Sequence, residues 1–178
     1  MPLRETELPR PLSPYGLQKY VGEHYTRLFS LLYGMETVNL RYFNVYGPRL
    51  AMSGAYLTVI AVFLQQQAAK QKLTVTGDGT QTRDFTFVGD VVRANLLAMD
   101  SAKVGKGEVI NIGAGHNYSV NEIATNFGGD VEHLDPRIEP HDTLADINQA
   151  AELLGWRPEV DLAEGIRQTK EWFVSHHA

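Results

Sequence analysis

The alternation of short β-branched runs with longer stretches of helical periodicity limits most strongly how this chain can fold. The apolar spacing over residues 16–33 predicts a helix that ends at Gly34, and residues 37–43 have the composition of a strand. Residues 55–71 then predict another helix, and residues 109–112 another apolar strand. Strands and helices that alternate in this way predict an α/β protein.

Polar residues with capping chemistry mark where further helices begin. The spacings Ser119 to Glu122 and Asp161 to Glu164 each form a capping-box pattern. Asp90 and Asp146 precede helical stretches, and we expect them to cap those helices. Residues 131–134 predict one more strand, so the alternation continues through the second half of the sequence.

Charge and residue content exclude several classes of function. The net charge of -5 argues against non-specific binding to nucleic acid, which requires a basic face. The absence of cysteine excludes a disulfide framework and a thiolate metal site, and it fits a cytoplasmic protein. The six histidines show no metal-ligand spacing, so we expect no metal. No apolar run approaches the ~20 residues that span a membrane, and we expect no membrane partner.

Tyr15 and Lys19 are the first candidates for catalysis. Their i, i+4 spacing puts both side chains on one face of a helix, one turn apart. A lysine ammonium beside a phenol favours the phenolate, which can act as a general base near neutral pH, and the lysine can also hold a ribose hydroxyl of a cofactor. Because Tyr-x-x-x-Lys also occurs by chance, an ordinary surface helix is the alternative interpretation.

Three later segments follow this pair along the chain. They are residues 40–49 (Leu-Arg-Tyr-Phe-Asn-Val-Tyr-Gly-Pro-Arg), residues 77–91 with a central Arg-Asp-Phe-Thr-Phe, and residues 143–146 followed by Leu-Leu-Gly-Trp at 153–156. Together with the Tyr/Lys pair, they resemble the extended short-chain dehydrogenases/reductases of the NAD-dependent nucleotide-sugar epimerase/dehydratase family, which includes the UDP-glucose 4-epimerases. The resemblance covers nearly the whole chain and corresponds to the C-terminal portion of such an enzyme.

The resemblance implies the C-terminal part of a Rossmann-type doubly wound fold with a small α/β substrate-binding region. Residues 1–50 would be a remnant of the dinucleotide-binding domain, residues 51–178 mainly the substrate-binding region, and residues 90–112 a return to the Rossmann sheet. We expect the N-terminal dinucleotide-binding half to be absent, because the sequence has no Gly-x-Gly-x-x-Gly motif. Residues 113–115, Gly-Ala-Gly, lack the third glycine and are interpreted as a strand-to-loop turn.

The resemblance also implies NAD as the cofactor and epimerisation of a nucleotide sugar at C4. Tyr15 would remove the hydroxyl proton as C4 gives up hydride, and NADH would return hydride to the opposite face of the 4-keto sugar. Lys19 would assist Tyr15 and hold the nicotinamide ribose, while Tyr42 would lie near the nicotinamide. The chain alone is expected to be inactive.

The resemblance assigns binding of the nucleotide sugar to six residues, which are Asn44, Thr74, Thr76, Arg83, Arg137 and Glu139. The asparagine and the arginines would anchor the diphosphate, and the threonines would line the base pocket. From the residues alone, an Asx turn at Asn44 and an internal ion pair at Arg83 are the alternatives. Arg137 and Glu139 resemble an element that grips phosphate and ribose, although its glycine is absent and its spacing is one residue short.

Two alternative functions stay open at this point. A nucleotide-sugar 4,6-dehydratase would need an acid/base carboxylate pair in a segment that precedes these residues. A non-catalytic nucleotide-sugar-binding or oligomerising module is the alternative from a different class, and the missing glycine loop favours it. We expect a homodimer, because the helix over residues 16–33 has a broad apolar surface.

Overall fold

The computed structural model describes residues 2–54, 57–137 and 139–177. The helices in these residues are α1 Pro14–Tyr33, α2 Val59–Ala68, α3 Val88–Asp100, α4 Val120–Phe127, α5 Asn148–Leu154 and α6 Leu162–His177. The strands are β1 Thr37–Tyr42, β2 Val45–Tyr46, β3 Leu73–Thr76, β4 Thr82–Arg83, β5 Thr86–Phe87, β6 Lys106–Ile112, β7 Tyr118–Ser119 and β8 Val131–Leu134.

Most of the strand pairs are parallel. The longest is β1 with β6, which are in register from Val38 opposite Glu108 to Tyr42 opposite Ile112. β2 pairs with β5 and β3 with β8 in the same sense, while β4 and β7 are antiparallel. Parallel neighbours require crossover connections, and helices supply them here. The predicted α/β class is therefore confirmed.

Two hydrophobic clusters hold these elements together. One lies between the β1–β6 pair and helices α3 and α5, and it contains the fully buried Trp156. The other joins α2, α4 and α6 to β3, with Phe63 stacked edge-on against Phe127.

α1 confirms the helix predicted from the apolar spacing and its end at Gly34. The Ser13 side chain caps its N-terminus by accepting a hydrogen bond from the Gly16 amide at 3.1 Å. Gly34 ends the helix with a φ of 65°, a conformation that glycine adopts without steric cost. No residue of α1 is buried, although the helix has many apolar side chains.

Two of the predicted helix caps are wrong. Phe87 is the N-cap of α3, and the Asp90 carboxylate instead accepts hydrogen bonds from the amides of Glu159 and Val160. Those loop amides need an acceptor, and a buried carboxylate in the first turn supplies it. The N-cap of α5 is Ile147, although Asp146 still accepts a hydrogen bond from the nearby Asn148 amide.

The other boundaries follow the sequence more closely. The capping box of Ser119 and Glu122 is present at the start of α4, and Asp161 accepts a hydrogen bond from the Glu164 amide near the start of α6. The helix predicted over residues 55–71 is shorter, because α2 begins after its cap Thr58. Residues 55 and 56 of that prediction lie outside the described residues.

Candidate active site

The tyrosine cleft contains Tyr15, Lys19 and Tyr42 and has a volume of about 1170 Å³. The first turns of α1, the strand β1 and the N-terminal segment form its walls. Lys19 Nζ lies 5.2 Å from the centre of the Tyr15 ring, one helical turn away. About half of the Tyr15 surface is exposed, and the residue lines the cleft.

The end of β1 positions Tyr42 at the same cleft. Its hydroxyl donates a hydrogen bond to Asn95 Oδ1 of α3 at 2.9 Å. The Asn95 amide in turn donates to the Val91 carbonyl, which fixes the orientation of the acceptor. Tyr42 is thus held in place by α3.

The arginine cleft contains the six residues that the sequence associates with a nucleotide sugar, and its volume is about 450 Å³. Its lining includes Asn44, Thr74, Thr76, Arg83, Arg137 and Glu139. Apolar side chains, among them Val62, Phe85 and Leu134, form the rest of the wall. The fold therefore brings six polar residues from distant segments of the chain into one recess.

Arg83 is held by three polar contacts in the arginine cleft. Its Nη1 donates to the carbonyl oxygens of Thr82 at 2.8 Å and His141 at 3.0 Å. Its Nη2 pairs with Glu139 Oε2 at 2.8 Å. The Arg83 side chain is only 13% exposed, whereas that of Glu139 is 42% exposed. The internal ion pair considered from the sequence is thus present, and it lies in a cleft open to a ligand.

Asn44 lies where the two clefts adjoin along the chain. Tyr42 and Phe43 line the tyrosine cleft, and the next residue lines the arginine cleft. Asn44 has a φ of 22°, a conformation that asparagine tolerates better than most residues. Among the described residues its side-chain amide has no hydrogen-bond partner, so the Asx turn considered from the sequence does not form there.

The sequence analysis missed Gln66 of α2, which holds a residue of the arginine cleft without lining the cleft itself. Its Oε1 accepts a hydrogen bond from the Thr74 amide at 3.0 Å, and its Nε2 donates to Thr74 Oγ1 at 2.8 Å. This pair of bonds fixes the threonine hydroxyl at the wall of the arginine cleft. The two residues are eight positions apart on different elements, so no local spacing indicates the contact.

Asp84 is the second residue that the sequence analysis missed. Its carboxylate is fully buried and accepts hydrogen bonds from the amides of Ala114 at 2.5 Å, Gly115 at 3.1 Å and Ala145 at 3.0 Å. Burial raises the pKa of the Asp84 carboxyl, and the three amide donors oppose that effect. Loop amides that hold a carboxylate fit the predicted strand-to-loop turn at residues 113–115.

Across residues 2–54, 57–137 and 139–177, no helix has both the length and the apolar character to cross a bilayer. In the same ranges, no group of three or more potential metal ligands is arranged to hold an ion.

Comparison with known proteins relates the chain to one enzyme family. The model of the NAD dependent epimerase/dehydratase family matches residues 2–113. A UDP-glucose 4-epimerase of Mycolicibacterium smegmatis is 38% identical over 92% of this chain and 53% of its own length. A UDP-N-acetyl-alpha-D-glucosaminuronate decarboxylase of Bacillus cytotoxicus is 36% identical over 80% of this chain and 47% of its own.

Solved structures give the same relationship. The UDP-glucose 4-epimerase of Thermotoga maritima with UDP-glucose superimposes with a TM-score of 0.90 and 40% identity over 98% of this chain. The UDP-glucuronic acid 4-epimerase of Bacillus cereus, in complex with UDP-glucuronic acid and NAD, has a TM-score of 0.90 and 35% identity over the same share. The chain spans 57% of each of those two chains.

Proposed function

This chain belongs to the NAD dependent epimerase/dehydratase family, and we propose that it supplies the catalytic pair and the nucleotide-sugar site of a UDP-sugar 4-epimerase. The observation that carries the proposal is the arginine cleft, because all six residues assigned to the substrate from the sequence line it. The adjoining tyrosine cleft contains Tyr15 and Lys19. The nucleoside diphosphate would thus bind in one cleft while the sugar reacts in the neighbouring one.

The arginine cleft has the chemistry that a nucleoside diphosphate requires. Arg83 and Arg137 supply guanidinium groups, which suit phosphate oxygens because of their planar donor geometry. The Asn44 amide adds a neutral donor at the end nearest the tyrosine cleft. Thr74 and Thr76 offer small hydroxyl groups beside apolar walls, which leaves room for a pyrimidine ring.

In this proposal Tyr15 is the general base that takes the proton from the hydroxyl at sugar C4. Lys19 lies one helical turn away, with its Nζ 5.2 Å from the centre of the Tyr15 ring, and in this proposal it assists the proton transfer. Anchoring through the diphosphate keeps the sugar in the site while it turns its other face to the same reacting groups. In this proposal the arginine cleft holds the diphosphate, and the tyrosine cleft carries out the proton transfer.

The tyrosine cleft fits the nicotinamide end of NAD. Lys19 can donate hydrogen bonds to ribose hydroxyls, and the Tyr42 ring with Leu40 and Phe43 provides apolar surface for a planar ring. NAD, when bound, supplies hydride acceptance and return at C4. A glycine-rich dinucleotide loop is not among the 178 residues, so we infer that turnover needs a further segment and that the chain alone is inactive.

A second reaction type is supported by one observation. A relative named as a UDP-sugar decarboxylase matches most of this chain, which supports the same type of segment serving more than one reaction within the family. A 4,6-dehydratase also stays an alternative. A non-catalytic binding module would share the arginine cleft but would not depend on Tyr15.

We also propose a homodimer formed through α1. Leu28, Phe29 and Leu32 lie on this helix, and each is more than two-fifths exposed. A second copy of the helix would cover such a surface by an isologous contact.

Thermal unfolding with UDP tests the proposed substrate site. A UDP concentration of about 100 times Kd is expected to raise Tm by about 5–10 °C. Arg83→Ala is expected to abolish the rise, because it removes the central phosphate donor. Arg157→Ala replaces an exposed arginine outside both clefts and is expected to keep it. A wild-type protein whose Tm does not respond to UDP would disprove the site.

A further inference from the structure

The Arg83–Glu139 ion pair occupies the position at which Arg83 would bind an anion. Nη1 is already committed to the carbonyl oxygens of Thr82 and His141, which hold the guanidinium in place. Nη2 is bonded to Glu139 Oε2 at 2.8 Å within the arginine cleft. Nη2 keeps a second N–H, but a phosphate that accepts it would lie directly beside the Glu139 carboxylate.

We propose that Glu139 is an internal competitor that a diphosphate displaces from Arg83. The inference rests on the proposed function, since it assumes that the arginine cleft binds a nucleoside diphosphate. Like charges at such short range repel strongly in a partly buried site, so carboxylate and diphosphate do not share Nη2. The two side chains are unequal in freedom, because Arg83 is fixed by two carbonyl groups and is 13% exposed, whereas Glu139 is 42% exposed.

This asymmetry determines which partner moves. Arg83 keeps its position when the ion pair opens, because the bonds of Nη1 are independent of Glu139. Glu139 swings away into solvent or toward another donor of the ligand, such as a hydroxyl. The exchange makes Arg83 selective for ligands whose negative charge is high enough to replace a carboxylate, which favours a diphosphate over a neutral nucleoside.

The competition predicts that removing the carboxylate strengthens anion binding. Glu139→Gln keeps the size of the side chain and removes its charge. Inorganic pyrophosphate is the sharpest probe, because it has no ribose that Glu139 could contact. We expect its affinity to rise about fivefold in Glu139→Gln, as measured by titration calorimetry. The wild-type protein and Glu159→Gln serve as references.

Glu159 is a matched control because it is also an exposed glutamate paired with an arginine, Arg93, at 3.3 Å and outside the arginine cleft. Glu159→Gln should leave the pyrophosphate affinity within twofold of wild type, as about 0.4 kcal/mol corresponds to twofold. An equal or weaker pyrophosphate affinity in Glu139→Gln overturns the inference.

Titration of the same proteins with UDP separates this inference from the proposed function. UDP binding by the wild type together with an unchanged pyrophosphate affinity in Glu139→Gln overturns the competition and leaves the substrate site standing. A wild-type protein that does not bind UDP overturns the proposed site, and the competition with it. UDP binding together with a gain in pyrophosphate affinity supports both.

Discussion

At the scale of single residues, Asp84 determines how the segments around the arginine cleft are joined. It follows Arg83 directly and receives three backbone amides from two other segments. Asp84→Asn should lower the free energy of unfolding by about 2–4 kcal/mol, because the new amide group cannot accept all three donors and leaves a buried polar group unsatisfied. Urea unfolding measures the change.

Asp130→Asn provides the matched comparison for Asp84, because Asp130 is exposed. It should change the free energy of unfolding by less than about 0.5 kcal/mol. Equal unfolding midpoints for the two variants would show that the buried hydrogen bonds contribute little.

Tyr15 carries the prediction that separates an enzyme from a binding module. In a protein that joins this chain to a dinucleotide-binding segment, Tyr15→Phe should lower kcat about 10²–10⁴-fold and change KM little, since only proton transfer is removed. Tyr25→Phe, on the same helix and also exposed, should keep kcat. Steady-state kinetics measure kcat and KM for both variants. A near-normal kcat of Tyr15→Phe would show that the tyrosine has only a structural role.

The residues that sequence analysis found have partners nearby in the sequence, whereas the residues that it missed have partners in other elements. Tyr15 and Lys19 share a helix, so their i, i+4 spacing already predicts the proximity that the structure has. Asp84 and Gln66 act on partners in other elements, and Asp84 bonds to amides 30 to 61 residues away. Contacts of that kind depend on the tertiary fold and leave no local pattern.

At the scale of elements, we expect alanine to have opposite effects on stability at two helical glycines. Alanine is normally better than glycine inside a helix by about 1 kcal/mol. A Cβ at Gly165 of α6 would lie 2.1 Å from the hydroxyl oxygen of the buried Tyr46, whereas a Cβ at Gly22 of α1 would meet no atom within 4 Å. Gly165→Ala should therefore destabilise the protein by about 1–3 kcal/mol, and Gly22→Ala should stabilise it by about 0.5–1 kcal/mol.

Thermal and urea unfolding of both glycine variants test this pair. A stabilised Gly165→Ala protein would mean that Tyr46 and α6 can move apart without cost. Because each substitution adds the same methyl group to a helix, the comparison isolates the effect of the neighbouring tyrosine.

The sequence predicted whether a segment forms a helix better than it predicted the residue at which the helix begins. Periodicity and Gly34 gave α1, and the Ser119 capping box gave α4. The start of α3 was missed because Asp90 looks like a cap in sequence, while the loop at residues 159–160 claims its carboxylate. Local propensity does not reveal such a distant competitor.

At the scale of the whole molecule, the exposed face of α1 predicts self-association. Leu28→Glu should convert a dimer at tens of micromolar into a monomer, since it places a charge in an apolar contact. Val174→Glu changes an exposed apolar residue of α6 in the same way and should leave the dimer intact. Sedimentation measures both, and a wild-type monomer without concentration dependence would contradict the proposal.

The hydrogen bonds of Asp84 also bear on the order in which the chain acquires its shape during synthesis. Ala114 and Ala145 follow Asp84 by 30 and 61 residues. Closing loops of that length costs chain entropy before any contact compensates for it. Until Ala145 has left the ribosome, a nascent chain lacks one of the segments whose amides bind Asp84, the residue next to Arg83. The proposed phosphate site is therefore completed only after Ala145 has been synthesised, and the proposed nucleotide cannot assist folding before that point.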